Sequence, residues 1–222
     1  MTEKEASSAA DPTTGSAGPG APAPAPRRLR ADAQRNIDPL LEAAKAVFVS
    51  SGVDAPAKEI ADQAGVGVGT LYRHFPQRSH LVKAVLQHEI DACADSAPGL
   101  GAANPPGAAL AKWLQRYTEL VATKQGLATA LHSGDPAFDE LPEYFWQRFE
   151  PALGSLLEAA VANGEIRADI SPKDLLYAVA SLCLPMGNEG AAYSQRMVAL
   201  LTDGLRYGAD TSESRSRRCA RR

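Results

Sequence analysis

Apolar residues recur every three or four positions along most of residues 32–207, the spacing that gathers them on one face of an α-helix. Ile37, Leu40, Leu41, Ala44, Val47 and Phe48 make the first such face and predict a helix over 32–50, ended by Gly52. A short second helix is expected over 57–64, turning Ile60, Ala61 and Ala64 inward, with Asp54 as its cap and Pro56 in its first turn. Gly65-Val66-Gly67 then bends the chain into a third short helix over 68–74, which Pro76 stops. A longer helix over 79–95 carries Leu81, Val82, Val85, Leu86 and Ile90. No segment alternates apolar and polar residues as a half-buried strand does.

After a Pro/Gly-rich stretch read as a loop (98–107), the helical pattern resumes. Leu110, Trp113, Leu114, Tyr117, Leu120 and Val121 share a stripe, and Leu127 and Leu131 mark a short helix. Leu141, Phe145, Phe149, Leu153, Leu156, Leu157 and Val161 define a long one, with a bend expected at Pro151. Two final helices span 172–184 and 191–207. The pattern therefore predicts an all-α protein of about nine helices. A three-helix head occupies residues 31–78 and a larger helical domain residues 79–208. The flanks, 1–30 and 209–222, are too poor in large apolar residues to offset ordering entropy and are expected to be disordered.

Charge changes the picture more than composition does. The net charge of −3 over 222 residues conceals a gradient. Residues 27–80 hold eight basic against six acidic side chains, residues 81–208 nine against fifteen, and residues 209–222 five against two. Positive charge thus collects at the head and tail, where it favours phosphate. Three widely spaced cysteines, Cys93, Cys183 and Cys219, support neither a disulfide framework nor a zinc site, which fits a reducing cytoplasm. The Ala/Pro-rich start lacks the features of a signal peptide, and no apolar run suffices to span a membrane. Neither a nucleophile–base pair nor a metal-ligand cluster is visible, so no enzyme, metal or cofactor is expected. His80 and His88 are eight apart with nothing chelating between them and read as surface residues. Gly65-x-Gly67-x-Gly69 follows a helix rather than a strand and lacks dinucleotide spacing.

Two short helices joined by a glycine turn and braced by an amphipathic helix are the pattern of a helix-turn-helix, whose second helix enters the major groove. The stretch Gly65-Val66-Gly67-Val68-Gly69-Thr70-Leu71-Tyr72-Arg73-His74-Phe75 resembles the TetR family of repressors, as do Ile37, Ala43-Ala44, Val47-Phe48, Gly52, Ile60-Ala61 and Ala64 upstream. Ala111-Lys112-Trp113-Leu114 and Ala122-Thr123-Lys124 resemble an actinobacterial subgroup with an SbtR-like C-terminal domain. The resemblance implies a homodimeric regulator of double-stranded DNA, released by a small-molecule effector. It implies that Leu71 and Phe75 anchor the reading helix, that Thr70, Tyr72 and His74 meet phosphates, and that Val68, Gly69 and Arg73 face base edges. Arg35, Lys58 and Arg78 complete the implied DNA-binding set, with Arg78 at a helix N-terminus suited to phosphate. Arg27, Arg28 and Arg30 are placed to enter the minor groove. Two departures stand out: Ala-Pro-Ala replaces the usual Thr or Ser cap in a link one residue short, and Gly67 replaces a common Ser.

The family also implies an effector cavity in the larger domain. Its candidate lining is Trp113, Tyr117, His132, Phe138, Tyr144, Phe145, Trp146, Phe149 and Met186, although aromatics at helical spacing equally describe a plain core. Leu175, Val179 and Leu182, with Met197, Leu201 and Leu205, are the implied dimer seam. A ligand-independent architectural DNA-binder and an enzyme on the C-terminal helices remain as alternatives.

Overall fold

The computed structural model of the chain describes residues 26–183 and 190–207, with side chains from residue 37 onward. Residues 1–25 and 209–222 of the expected disordered flanks, the side chains of Arg27, Arg28, Arg30 and Arg35, and Met186 lie outside the described residues, whereas residues 26–30, expected to be disordered, are helical. Among the described residues the regular structure is all helical: α1 (Pro26–Ser51), α2 (Ala57–Ala64), α3 (Val68–His74), α4 (Arg78–Ala103), α5 (Pro106–Gly126), α6 (Ala128–Leu131), α7 (Leu141–Ala162), α8 (Pro172–Leu182) and α9 (Gly190–Arg206), with a 3-10 turn at Pro136–Phe138. The described residues from Asn36 onward pack as one compact unit.

The reason is α4. Near its start Leu81, Val82 and Val85 join Leu40, Leu41, Ala44, Val47, Phe48, Ile60 and Leu71 in the core, and further along Ile90, Cys93, Ala94 and Ala97 continue it. The helix also runs to Ala103, eight residues past its expected end, absorbing much of the predicted loop. Pro98 removes one backbone donor, but it lies on the exposed side, and buried Ala97 with partly buried Leu100 keeps the following turn packed. Asn104 then caps the helix, its Nδ2 donating to the Leu100 carbonyl at 2.9 Å. Pro39 in α1 and Pro151 in α7 are likewise interior and exposed, so the carbonyls they free face water.

Two local expectations need correction. α1 begins at Pro26 rather than near residue 32; proline is tolerated there because the first N–H groups of a helix have no intrahelical partner. Asp54 does not cap α2: the N-cap is Pro56, which supplies no side-chain bond.

In the larger domain α5 packs against α4, α7, α8 and α9. Its fully buried Leu110, Trp113 and Leu114 supply much of the centre. The N-terminus of α5 has no side-chain cap from its own Pro105. Glu165, from the α7–α8 connection, supplies one: its Oε2 accepts the Gly107 N–H at 2.9 Å, and Asn163 Nδ2 donates to its Oε1 at 2.5 Å. A β-carbon at position 107 would collide with Glu165 Oε2.

Removing the carboxylate in Glu165→Ala is expected to lower unfolding free energy by about 1 kcal/mol, read from urea denaturation. Gly107→Ala should fall close to wild type, because the lost cap is offset by alanine's helix preference, also about 1 kcal/mol.

Candidate nucleic-acid interface

The reading helix is held from one side only. Gly65 takes up the left-handed conformation (φ 68°, ψ 28°) and ends α2. The Val66 N–H then reaches back to the Ala61 carbonyl at 3.0 Å, closing a tight reversal that a β-carbon at Gly65 would strain. Gly67 is different: its backbone is extended, and its carbonyl accepts the first helical bond of α3 from Thr70 at 2.8 Å without any side-chain cap. Leu71 is buried, and Phe75 packs partly buried against the same core as Phe48 and Ile60.

The opposite side of α3 is open. Gly69, Tyr72, Arg73 and His74 are exposed, Tyr72 by 54%, while Val68 and Thr70 are half-buried. Tyr72 is therefore not a core aromatic. No atom lies within 4 Å of a β-carbon built at Gly67 or Gly69, so packing within the protein does not demand glycine at either place. Lys58 projects from α2 into solvent and pairs with Asp62 at 2.6 Å, a contact that raises its pKa. Such an exposed pair opens readily.

Arg78 stands apart from the expected set. Its Nε donates to the Val53 carbonyl at 2.6 Å, and its guanidinium lies 5.2 Å from the centre of the Phe48 ring. Its Nη2 is buried with no hydrogen-bond partner. Burial lowers its pKa, opposed by the charges of Asp54 and Tyr72. In this geometry Arg78 braces the α1–α2 link against α4 and stands behind the reading helix.

The candidate effector residues divide similarly. Trp113, Tyr117, Phe138 and Phe149 are buried. Phe149 stacks on Phe145 at 4.5 Å and lies 5.2 Å and 5.4 Å from Trp113 and Tyr117, so these rings fill one another's space. The Trp113 Nε1–H is taken by the Cys93 carbonyl at 3.0 Å. Tyr144 turns to α4, its hydroxyl donating to the Asp91 carboxylate at 2.7 Å, and Arg148 binds the same carboxylate at 2.7 Å. Burial, then this bond, pushes the Tyr144 phenol up to about 12. Trp146 is half-buried, edge-on to Tyr177 at 5.6 Å with the Lys173 ammonium 5.6 Å from its ring centre. His132 is exposed at the end of α6.

Of the expected dimer residues, Leu175, Val179 and Leu205 are buried within the protomer's own core. Leu182, Met197 and Leu201 are half-buried. The exposed large apolar side chains on α8 and α9 are Tyr177 and Leu200. Each lies two residues from a buried stripe residue, Val179 and Val198, which is about 200° around a helix.

A reversal between two short helices, a buried inner face and an open polar outer face on the second define a helix-turn-helix DNA-binding head, here carried on a larger helical domain. Residues 40–85 match the profile of bacterial regulatory proteins of the TetR family, and residues 105–207 that of the SbtR-like C-terminal domain of transcriptional regulators. The chain belongs to the TetR family of transcriptional regulators. Among solved structures it is similar to a TetR transcriptional regulator of Streptomyces coelicolor, with 38% identity over 76% of this chain and 97% of that one and a TM-score of 0.65. A TetR transcription regulatory protein of Mycobacterium vanbaalenii has 37% identity over 80% and 99%, with a TM-score of 0.64. HTH-type transcriptional regulators of Staphylococcus aureus are 39% identical over 64 residues, 28% of this chain, and the chain spans 35% of their length. No helix among the described residues is long and apolar enough to cross a membrane.

Two substitutions separate stability from contact. Gly69→Ala is expected to stabilise the free protein by up to about 1 kcal/mol in thermal melts, yet weaken retention of operator DNA at least tenfold; unchanged retention would remove Gly69 from the contact surface. Arg78→Met is expected to lower stability by about 1.5–3 kcal/mol, the scale of a hydrogen bond from a charged donor.

Proposed function

We propose that the chain is a repressor that binds a near-palindromic operator as a homodimer and leaves it when a small molecule occupies the C-terminal domain. The carrying observation is the open outer face of α3, where Gly69, Tyr72, Arg73 and His74 are exposed above the anchoring Leu71. Arg73 is assigned to base edges beside Val68 and Gly69, since a guanidinium reads guanine through two bonds. Tyr72, Thr70, His74 and Lys58 are assigned to phosphates, with Arg35 as a further contact from α1. Arg78 positions the head and does not touch DNA.

For dimerisation we assign the outer faces of α8 and α9: Tyr177 and Leu200, with exposed Ala192 and Ala199 allowing close approach and Leu182, Met197 and Leu201 at the edge. Two heads then fall on successive major grooves, roughly 34–36 Å apart or a multiple of that. Effector entry is assigned to the half-buried end of the aromatic cluster, Phe145 and Trp146, because Trp113 and Phe149 are already packed on every side. An effector acts only through unequal affinity for the DNA-fitting and non-fitting arrangements. The close ring packing also favours a second reading, a DNA-binder that answers to no ligand. A compound that raises the melting temperature and releases DNA excludes that alternative.

The operator is found by selecting genomic fragments on the purified protein, and affinity is measured across a salt series. Tyr72→Ala with Arg73→Ala is expected to reduce specific affinity at least tenfold while leaving the melting curve unchanged; retention at wild-type strength sinks the assignment of α3. Leu200→Asp is expected to give a monomer in sedimentation velocity and to weaken operator binding by about a hundredfold, as two linked contacts become one.

A further inference from the structure

Glu42 of α1 meets His88 and Glu89 of α4, residues far apart in sequence that the fold brings together. One ligand atom from each lies within 4.8 Å of the others. His88 Nε2 is already 3.1 Å from Glu42 Oε1, and its Nδ1 faces Asp38 Oδ1 at 3.8 Å. The Glu89 side chain is only 10% exposed and is paired with the Lys45 ammonium at 2.6 Å. We propose that Glu42, His88 and Glu89 form a binding site for a divalent transition-metal ion of the zinc type, clasping α1 to α4.

The donor set selects the ion. Two carboxylates balance a divalent charge, and the imidazole nitrogen favours zinc-like ions over calcium or magnesium, which prefer all-oxygen surroundings. Ligand atoms about 2.1 Å from a tetrahedral ion stand about 3.4 Å apart, so the Glu42–His88 pair is near bonding separation and the widest pair closes by rotation of a glutamate. The fourth position is left to water. Asp38 faces the ring nitrogen that does not ligate, as carboxylates behind metal-bound histidines do, where it orients the imidazole. Lys45 is the competitor within the protein. Its ammonium holds one Glu89 oxygen, but its stem is flexible and its side chain 32% exposed, and Glu89 keeps a second oxygen. The outer part of the set is accessible, since Glu42 is exposed and His88 half-buried. Because α4 starts four residues after α3 ends, an ion fixing α4 to α1 also limits how the reading helix tilts. This last consequence rests on the proposed DNA-binding role; the metal site does not.

The test uses the full chain, stripped with a chelator and titrated with Co2+ and Zn2+. The expected result is a visible Co2+ absorption band saturating at one equivalent per chain and a Zn2+-dependent rise in melting temperature. Both disappear in His88→Gln and Glu42→Gln, and Lys45→Met binds about tenfold more tightly. Metal-free melting curves establish that the variants fold; should His88→Gln not fold, exposed Glu42→Gln carries the test. No band and no shift at millimolar ion overturns the proposal, as does an equal response in wild type and Glu42→Gln. Operator affinity with and without Zn2+ is scored separately, so loss of the regulatory consequence is distinguishable from loss of the site.

Discussion

Helix α4 is the constraint on which the architecture rests. Its first turns complete the core of the head and its later turns belong to the body, with no flexible connection between. A linker would let the head pivot independently. A continuous helix makes any tilt of the body's packing a tilt of the head. Lys45–Glu89 at 2.6 Å, His88 against Glu42, and Arg78 over Phe48 tie the head to this same helix. On its other side, Tyr144 and Arg148 of α7 converge on Asp91.

The helices of the head were legible because each signal was local. Gly52 and Gly65 adopt positive φ, as their places at helix ends implied, and the stripe from Leu40 to Phe48 is buried. Misreadings arose where local rules met packing. Pro98 and its neighbouring glycines are strong breakers in isolation, yet Ala94, Ala97 and Leu100 give the turns around them apolar contacts. Asp54 is a good cap by type, but Pro56 took the position. What periodicity cannot express is which of two apolar stripes stays within the protomer. Leu175 and Val179 face inward, and Tyr177, between them in sequence, faces out.

Contacts between distant residues were beyond sequence reasoning altogether. His88 looked isolated because its acidic neighbours Asp38 and Glu42 lie on another helix. Glu165 caps α5 across a separation of 58 residues, a role nothing in its own neighbourhood signals. Arg78 sits at the head of α4 as expected, and its Nε donates to the Val53 carbonyl, which only the folded α1–α2 link presents.

The reading helix itself shows how marginal local structure is made usable. Seven residues are too few for a stable isolated helix, and Gly69 within it has little intrinsic preference for one. Against a glycine penalty of about 1 kcal/mol at Gly69, burial of Leu71 contributes about 1.5–3 kcal/mol, with Phe75 adding part of its ring area. The helix therefore exists because its inner face is held, and its outer face is released from any duty to fold. Two bare backbone positions next to an exposed phenol and guanidinium give a surface that approaches a partner closely without giving up the packing that supports it.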